Sequence, residues 1–186
     1  MSDEILVLGK IQGARGVRGD LRIIRRGDML DNLKKNSPIE LYRAQGIRDG
    51  FLTSPEFYNE YIMQNFAVLT PDTAQLRLKG IANADDAWSL KGFFIGIKLS
   101  EAKIKFHNPE DPYLFEYIGL DVFEGNEFKG KVKRVDEYNH KQWLIVDCLN
   151  SEVMIPLQGP YIEVTDFTRG INIVQDSGLF ILDDET

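Results

Sequence analysis

The segment Gly9-Lys-Ile-Gln-Gly13-Ala-Arg-Gly16-Val-Arg-Gly19-Asp-Leu-Arg-Ile23 gathers residue types that hold phosphates. Glycine recurs at every third position from Gly13 to Gly19, with Lys10, Arg15, Arg18 and Arg22 among and beside them. A Walker loop needs a Gly-Lys-Ser/Thr step entering a helix, and a dinucleotide loop needs a strand, a turn and a helix. A second strand follows the glycines here, so neither chemistry fits. Two readings remain open. In one, Gly13, Gly16 and Gly19 are structural, supplying backbone angles at a tight inter-strand connection that other residues resist. In the other, the arginines of that loop also reach phosphates or an acidic protein surface with forked hydrogen bonds.

Nucleophilic, acid–base and metal chemistry find little to work with. The single Cys148 lies in the apolar run Leu144-Ile-Val-Asp-Cys-Leu149 and reads as a small core residue. His107 falls in a charged stretch and His140 in a turn, neither beside a nucleophile motif. Both are expected to be exposed. Asp85/Asp86 and Glu110/Asp111 are adjacent pairs whose side chains diverge in a strand and sit about 100° apart in a helix. No catalytic set, metal site or cofactor is implied. Lys129, Lys131 and Lys133, with Arg134, alternate along a strand as a solvent face would. Tyr113, Phe115 and Tyr117 share that two-residue spacing, which suits either core packing or an aromatic anchor at a partner-facing edge.

These residues sit on a mostly β chain. Short runs rich in Ile, Val, Leu, Phe and Tyr, punctuated by glycine and proline, predict strands at Ile5 to Gln12, Asp20 to Arg25, Ile39 to Arg43, Gly50 to Phe57, Asn65 to Leu69, Ala74 to Lys79 and Phe93 to Lys98. Asn83 can cap a helix that has Asp85 and Asp86 in its first turn and Gly92 to close it, presenting Ala84, Ala87, Trp88 and Lys91 on one side. Residues 99–111, charged and proline-terminated, read as a linker between a first domain at 1–98 and a second at 112–186. In the second, strands are expected at Phe115 to Phe123, Glu127 to Glu137, Gln142 to Cys148, Glu152 to Ile155, Tyr161 to Thr165 and Gly170 to Val174. Glu124-Gly125-Asn126 turns the first hairpin. Each half reads as a small barrel or sandwich. A short acidic tail, Asp183-Asp184-Glu185, ends the chain.

The 186 residues carry 22 basic and 29 acidic side chains, for a formal charge of -7. No global positive field exists to hold the chain on nucleic acid, so any such contact must be local. The charge is nevertheless polarised, because the first 26 residues carry +3 and the other 160 carry -10. The N-terminus is acidic where a secretory signal is basic, and no apolar run approaches the ~20 residues that cross a bilayer. A cytoplasmic chain without membrane contact, with a reduced cysteine, is expected.

Along nearly its whole length the sequence resembles the RimM family of ribosome maturation factors. The likeness lies in GKIQGARGVRGDLRI, then LKGIANADDAWSLKG followed by Phe93 to Lys98, then DPYLFEYIGLDVF, GKVKRV, VMIPL and VTDFTRGINIV with Ser177-Gly178-Leu179, in that order. The resemblance implies two small β-barrels, an N-terminal barrel similar to the reductase/isomerase/elongation-factor type and a C-terminal PRC barrel. It implies a monomeric, non-catalytic factor that binds the small ribosomal subunit precursor through small-subunit ribosomal protein nineteen and assists 16S rRNA processing and assembly of the 30S head. The rRNA contact is expected to be local and indirect, and the loop bearing Lys10, Arg15, Arg18 and Arg22, singled out by its charge, is expected to face the rRNA.

The sequence departs from the family pattern in places. Arg15 stands where the family has histidine, Ala82-Asn83-Ala84 replaces an acidic-acidic-arginine start to the helix block, and Trp88 replaces a glutamate. The aromatic Tyr-Tyr-Trp opening of the second domain survives as Pro112-Tyr113-Leu114, so Tyr113 transfers as the partner anchor, with Phe115 supplying apolar contact beside it. The alternative reading is a flavin or small-molecule enzyme on a reductase-like barrel, which a visible absorption band would reveal.

Overall fold

The computed structural model describes residues 4–149 and 151–180. It divides into two compact units, Met1–Phe106 and His107–Thr186. Asp3 and the acidic tail Asp183-Asp184-Glu185 lie outside the described residues.

The first unit contains β1 (Ile5–Arg15), β2 (Asp20–Arg25), β3 (Pro38–Arg43), β4 (Gly46–Arg48), β5 (Phe51–Thr53), β6 (Glu56–Thr70), β7 (Thr73–Leu78) and β8 (Phe94–Lys98). Hydrogen bonding runs β1, β2, β7, β6, β3, β8 and back to β1, closing an antiparallel six-stranded barrel with no free edge in the ring. β5 pairs with β1 at Leu6 and Phe51 and carries β4 along.

Burial follows the residue pattern. β2 and β7 alternate, burying Leu21, Ile23, Ala74, Leu76 and Leu78 while the residues between them reach water. β1 does not alternate at its start, where Ile5 to Gly9 are all buried. Ile5 and Val7 pack with Tyr42, Leu52 and Phe94 in a cluster of their own under β4 and β5, so both faces of this stretch are covered.

Three expectations for this unit change. The strand expected at Gly50 to Phe57 is broken, because Ser54, immediately before Pro55, turns the chain with φ 49° between β5 and β6. The strand expected at Asn65 to Leu69 is the far half of the fifteen-residue β6, in which Met63 alone is buried. With so little of its length facing a core, β6 has no two-residue hydrophobic rhythm to read. The third change is in the linker stretch 99–111, whose first half is helical. α2 (Leu99–Lys105) buries Ala102 and belongs to the first unit, which ends at Phe106. The capped helix forms as expected: α1 (Ala84–Ser89) begins where Asn83 Oδ1 accepts from the Asp86 amide at 2.9 Å. Ala87 and Leu90 turn inward, and the Gly92 amide bonds Ile11 O at 2.9 Å.

The second unit holds α3 (Leu114–Tyr117), β9 (Asp121–Glu124), β10 (Glu127–Tyr138), β11 (Lys141–Asp147), β12 (Glu152–Pro156), β13 (Ile162–Asp166) and β14 (Gly170–Ile173). Its sheet order is β12, β11, β10, β9, β14, β13, antiparallel except for β9 with β14. Val122, Val132, Leu144, Val146, Ile155, Ile171 and Ile173 form its core. The Gly125-Asn126 hairpin turns as expected, with Glu124 opposite Glu127. The strand expected at Phe115 to Phe123 is a correction: its first residues form α3, and only Asp121–Glu124 is extended. The turn of α3 is closed at both ends by one residue pair. The Tyr113 amide donates to Glu116 Oε1 at 2.9 Å, and the Glu116 amide donates to Tyr113 O at 2.9 Å.

Candidate functional site

The glycine-rich segment is the β1–β2 hairpin. Arg15 stands opposite Asp20 and Gly13 opposite Arg22, with Gly16 to Gly19 as the loop. The hairpin lies against the block that precedes and forms α1. Gly13 has φ 140°, and an added Cβ there would enter the ring of Trp88. At Gly19, φ is 78° and an added Cβ would overlap the carbonyl oxygen of Ile81. Gly16, at φ 71°, faces open space. The three glycines therefore answer different needs: two admit a neighbour and one only turns the chain.

Charge on this hairpin is unequally engaged. Arg77 grips Asp20 through two 2.7 Å hydrogen bonds. That bond, more than the field of Arg18, holds the Asp20 carboxyl below the usual aspartate range against the opposing effect of burial. Arg25 spends its guanidinium on Asp31 and on the carbonyls of Pro71 (3.0 Å) and Thr70 (3.4 Å). Arg15, Arg18 and Arg22 are exposed, and among the described residues none has a carboxylate partner. Lys10 lies further along the outer face of β1, its Nζ 4.7 Å from the Phe94 ring centroid.

The Asp20–Arg77 bond carries a pH prediction. Because the folded carboxyl titrates below the unfolded one, its stabilisation is complete above the unfolded value near 3.8 and is lost as pH falls through the folded value. Asp20→Asn should therefore lower the denaturation midpoint at neutral pH. The gap from the parent should close toward pH 2, as followed by urea titration at both pH values.

In the second unit, the aromatic trio does not line one strand face. Tyr113 and Phe115 stack at 5.3 Å with 14° between their planes. Phe115 and Tyr117 are buried, Tyr117 edge-on to Phe167 at 5.3 Å. Phe115 is thus the floor under a half-buried Tyr113 and presents little surface of its own. Beneath them Glu116 is 2% exposed, and its second carboxylate oxygen meets Nδ1 of His107, whose ring stands edge-on to Phe167 at 5.5 Å. The sequence did not reveal this pair: nine residues separate its members, and His107, exposed as expected, gives no local sign of a buried carboxylate partner.

The remaining candidates resolve as structure. Lys129 pairs with Glu127 at 2.8 Å and Glu124 at 3.3 Å, Lys131 with Asp121, and Lys133 with Glu152 at 2.6 Å. Arg134 meets Asp136 at 3.1 Å and Glu152 at 3.3 Å. These cations are neutralised in place. His140 occupies the two-residue β10–β11 turn beside Asn139, both at positive φ. Burial pushes the Cys148 thiol up, away from the thiolate a nucleophile needs. A cavity of ≈ 60 Å³ beside α2, lined by Leu33, Glu40, Ile95 and Lys105, is far below the roughly 300 Å³ where ligand pockets begin. Among the described residues, no group of three or more His, Cys, Asp or Glu side chains could hold a metal, and no helix is long and apolar enough to cross a membrane.

Residues 6–102 match the family model described as the RimM N-terminal domain. The chain is 26% identical over 165 residues to a protein of Streptococcus thermophilus named ribosome maturation factor RimM, covering 88% of this chain and 89% of that one. A protein of the same name from Ruminiclostridium cellulolyticum is 24% identical over 188 residues, covering 95% and 98%. A crystal structure of a Pseudomonas aeruginosa 16S ribosomal RNA processing protein RimM aligns with a TM-score of 0.43 at 22% identity, covering 94% and 99% of the two chains.

Proposed function

This chain belongs to the RimM family, and we propose that it is a ribosome maturation factor acting in 16S rRNA processing. In this reading it docks on the small-subunit precursor through ribosomal protein nineteen, assists assembly of the 30S head, and works in the cytoplasm as a binding protein without a reaction of its own. The carrying observation is where the charge lies. Met1–Phe106 holds 16 basic and 13 acidic residues, and His107–Thr186 holds 6 and 16, so the units carry +3 and -10. An acidic unit in which five of the six cations are already paired attracts a basic ribosomal protein, and complementary potentials speed encounter while rejecting wrong partners. The cationic unit, with Arg15, Arg18 and Arg22 left open, suits phosphate.

Tyr113, held over Phe115 by the α3 turn, is the anchor we assign to the protein partner. Lys10, Arg15, Arg18 and Arg22 form the rRNA-facing side. Co-sedimentation with small-subunit precursors, with and without protein nineteen, tests the whole reading. Neutralising Arg15, Arg18 and Arg22 together should flatten the salt dependence of that binding by about 2 to 3 units of log–log slope, at 0.7–0.9 per phosphate contact. An unchanged slope rejects the phosphate role of the hairpin.

A further inference from the structure

The end of the barrel from which the β1–β2 hairpin projects is ringed by aromatic side chains that carry cations. Arg43, at the end of β3, places its guanidinium 5.7 Å from the Tyr58 ring centroid and 5.1 Å from that of Phe93. Tyr58 and Phe93 themselves lie 4.3 Å apart. Next along this rim, Phe93 O accepts from the Ile11 amide at 2.9 Å, and two residues further along β1 the Trp88 ring covers Gly13. Lys91 Nζ stands 5.3 Å from the Trp88 ring centroid. Arg15, Arg18 and Arg22 continue the same path outward on the hairpin.

Two properties of this rim need explanation. Two of its rings are open to water, Trp88 at 51% and Tyr58 at 45% exposed, while Phe93 is buried against Tyr58 and backs it. Its cations lack counter-ions: among the described residues Arg43 and Lys91 join no carboxylate, unlike Arg25 with Asp31, Arg77 with Asp20 and Lys98 with Glu101 elsewhere in the first unit. The cations of β10, by contrast, are all matched.

We propose that this rim, with Tyr58 and Trp88 as its open rings and Arg43 and Lys91 beside them, is a stacking platform for unpaired RNA bases, Phe93 serving as the support behind Tyr58. The hairpin arginines hold the phosphates of the same strand. This deepens the maturation-factor reading, on which the source of the RNA rests. Tyr, Trp and Arg also serve protein interfaces, but lysine is depleted there, and Lys91 together with the three hairpin arginines extends a row of cations that pair with no carboxylate among the described residues. Single-stranded RNA supplies both missing partners: π-faces for the rings and phosphates for the cations. A duplex offers phosphates but keeps its bases stacked inside.

The test uses the full chain carrying Trp143→Phe, which leaves Trp88 as the reporting indole. A single-stranded oligoribonucleotide should quench Trp88 emission, and a duplex of equal length should not. In anisotropy titrations with the same labelled single strand, Tyr58→Leu and Trp88→Leu should each weaken binding about 5- to 150-fold with unchanged melting temperature. Equal quenching by strand and duplex, or unchanged affinity in both variants, overturns the platform. A wild-type chain that sediments with small-subunit precursors but ignores the single strand overturns the platform and leaves the maturation-factor reading intact. Binding to the strand without sedimentation does the reverse. Variants that lose the particle but keep the single strand would show that the rim docks a protein, which also overturns the proposal.

Discussion

Gly19→Ala is expected to lower the stability of the N-terminal barrel by about 2–5 kcal/mol, combining ~1–2 kcal/mol for a left-handed alanine with ~1–3 kcal/mol for overpacking. The φ of 78° sets the first cost. The second arises because the new methyl would meet the Ile81 carbonyl oxygen, and backbone cannot swing aside as a side-chain tip can. Relief requires the 81–82 segment to lift from the hairpin, and that segment leads directly into the cap of α1. Gly16→Ala, at φ 71° in open space, should cost only the first component. Gly13→Ala is intermediate, because the half-exposed Trp88 ring can move. Denaturant unfolding should rank the variants Gly19, Gly13, Gly16 in falling cost. Trp88 emission should change most for Gly13→Ala. Equal costs at Gly16 and Gly19 would mean that backbone conformation alone selects these glycines.

This ranking shows how far the sequence could be read. The triplet spacing of glycine was visible and its positive φ values were inferable, because a strand on each side leaves a tight hairpin. Which glycines also admit a neighbour depends on Ile81 and Trp88, about sixty to seventy-five residues away in sequence, and no local pattern carries that. β2, β7 and α1 were legible because their signals are local: a two-residue alternation, or Asn83 three residues before Asp86. β6 was split because fifteen residues with one buried side chain have no rhythm. α3 was misread for the opposite reason. Tyr113, Phe115 and Tyr117 supply a false alternation, while the turn is closed by Glu116, which accepts from the Tyr113 amide and whose carboxylate also meets a histidine nine residues back. Charge was legible in amount but not in place: the sequence puts +3 in the first 26 residues, and the same totals fall on the two units, divided at Phe106/His107, because residues 27–106 carry 10 basic and 10 acidic side chains and add nothing. Trp88 and Arg43 needed the fold, since a ring on a short helix and an arginine ending a strand meet neighbouring groups only when the barrel closes.

Tyr113→Ala should weaken binding of the chain to ribosomal protein nineteen by at least about 30-fold, the loss of ~2 kcal/mol that marks an interface hot spot. The ring is suited to that role because its orientation is fixed before binding. Phe115 lies beneath it at 5.3 Å, the α3 turn is closed by Glu116 through the Tyr113 amide, and the buried carboxylate is itself held by His107. An anchor held in this way loses less side-chain freedom on docking. Glu116→Ala should reproduce part of the loss by releasing the turn, at a cost in unit stability. Tyr113→Phe should keep most of the affinity if the face of the ring makes the contact, and lose it if the hydroxyl does. The pattern separates anchoring from folding: Tyr113→Ala must change the dissociation rate while leaving the melting temperature of the second unit near the parent value. An association rate that falls with added salt in parent and variant alike would then assign encounter to the -10 field and retention to Tyr113. Unchanged dissociation in a folded Tyr113→Ala protein would place the anchor elsewhere.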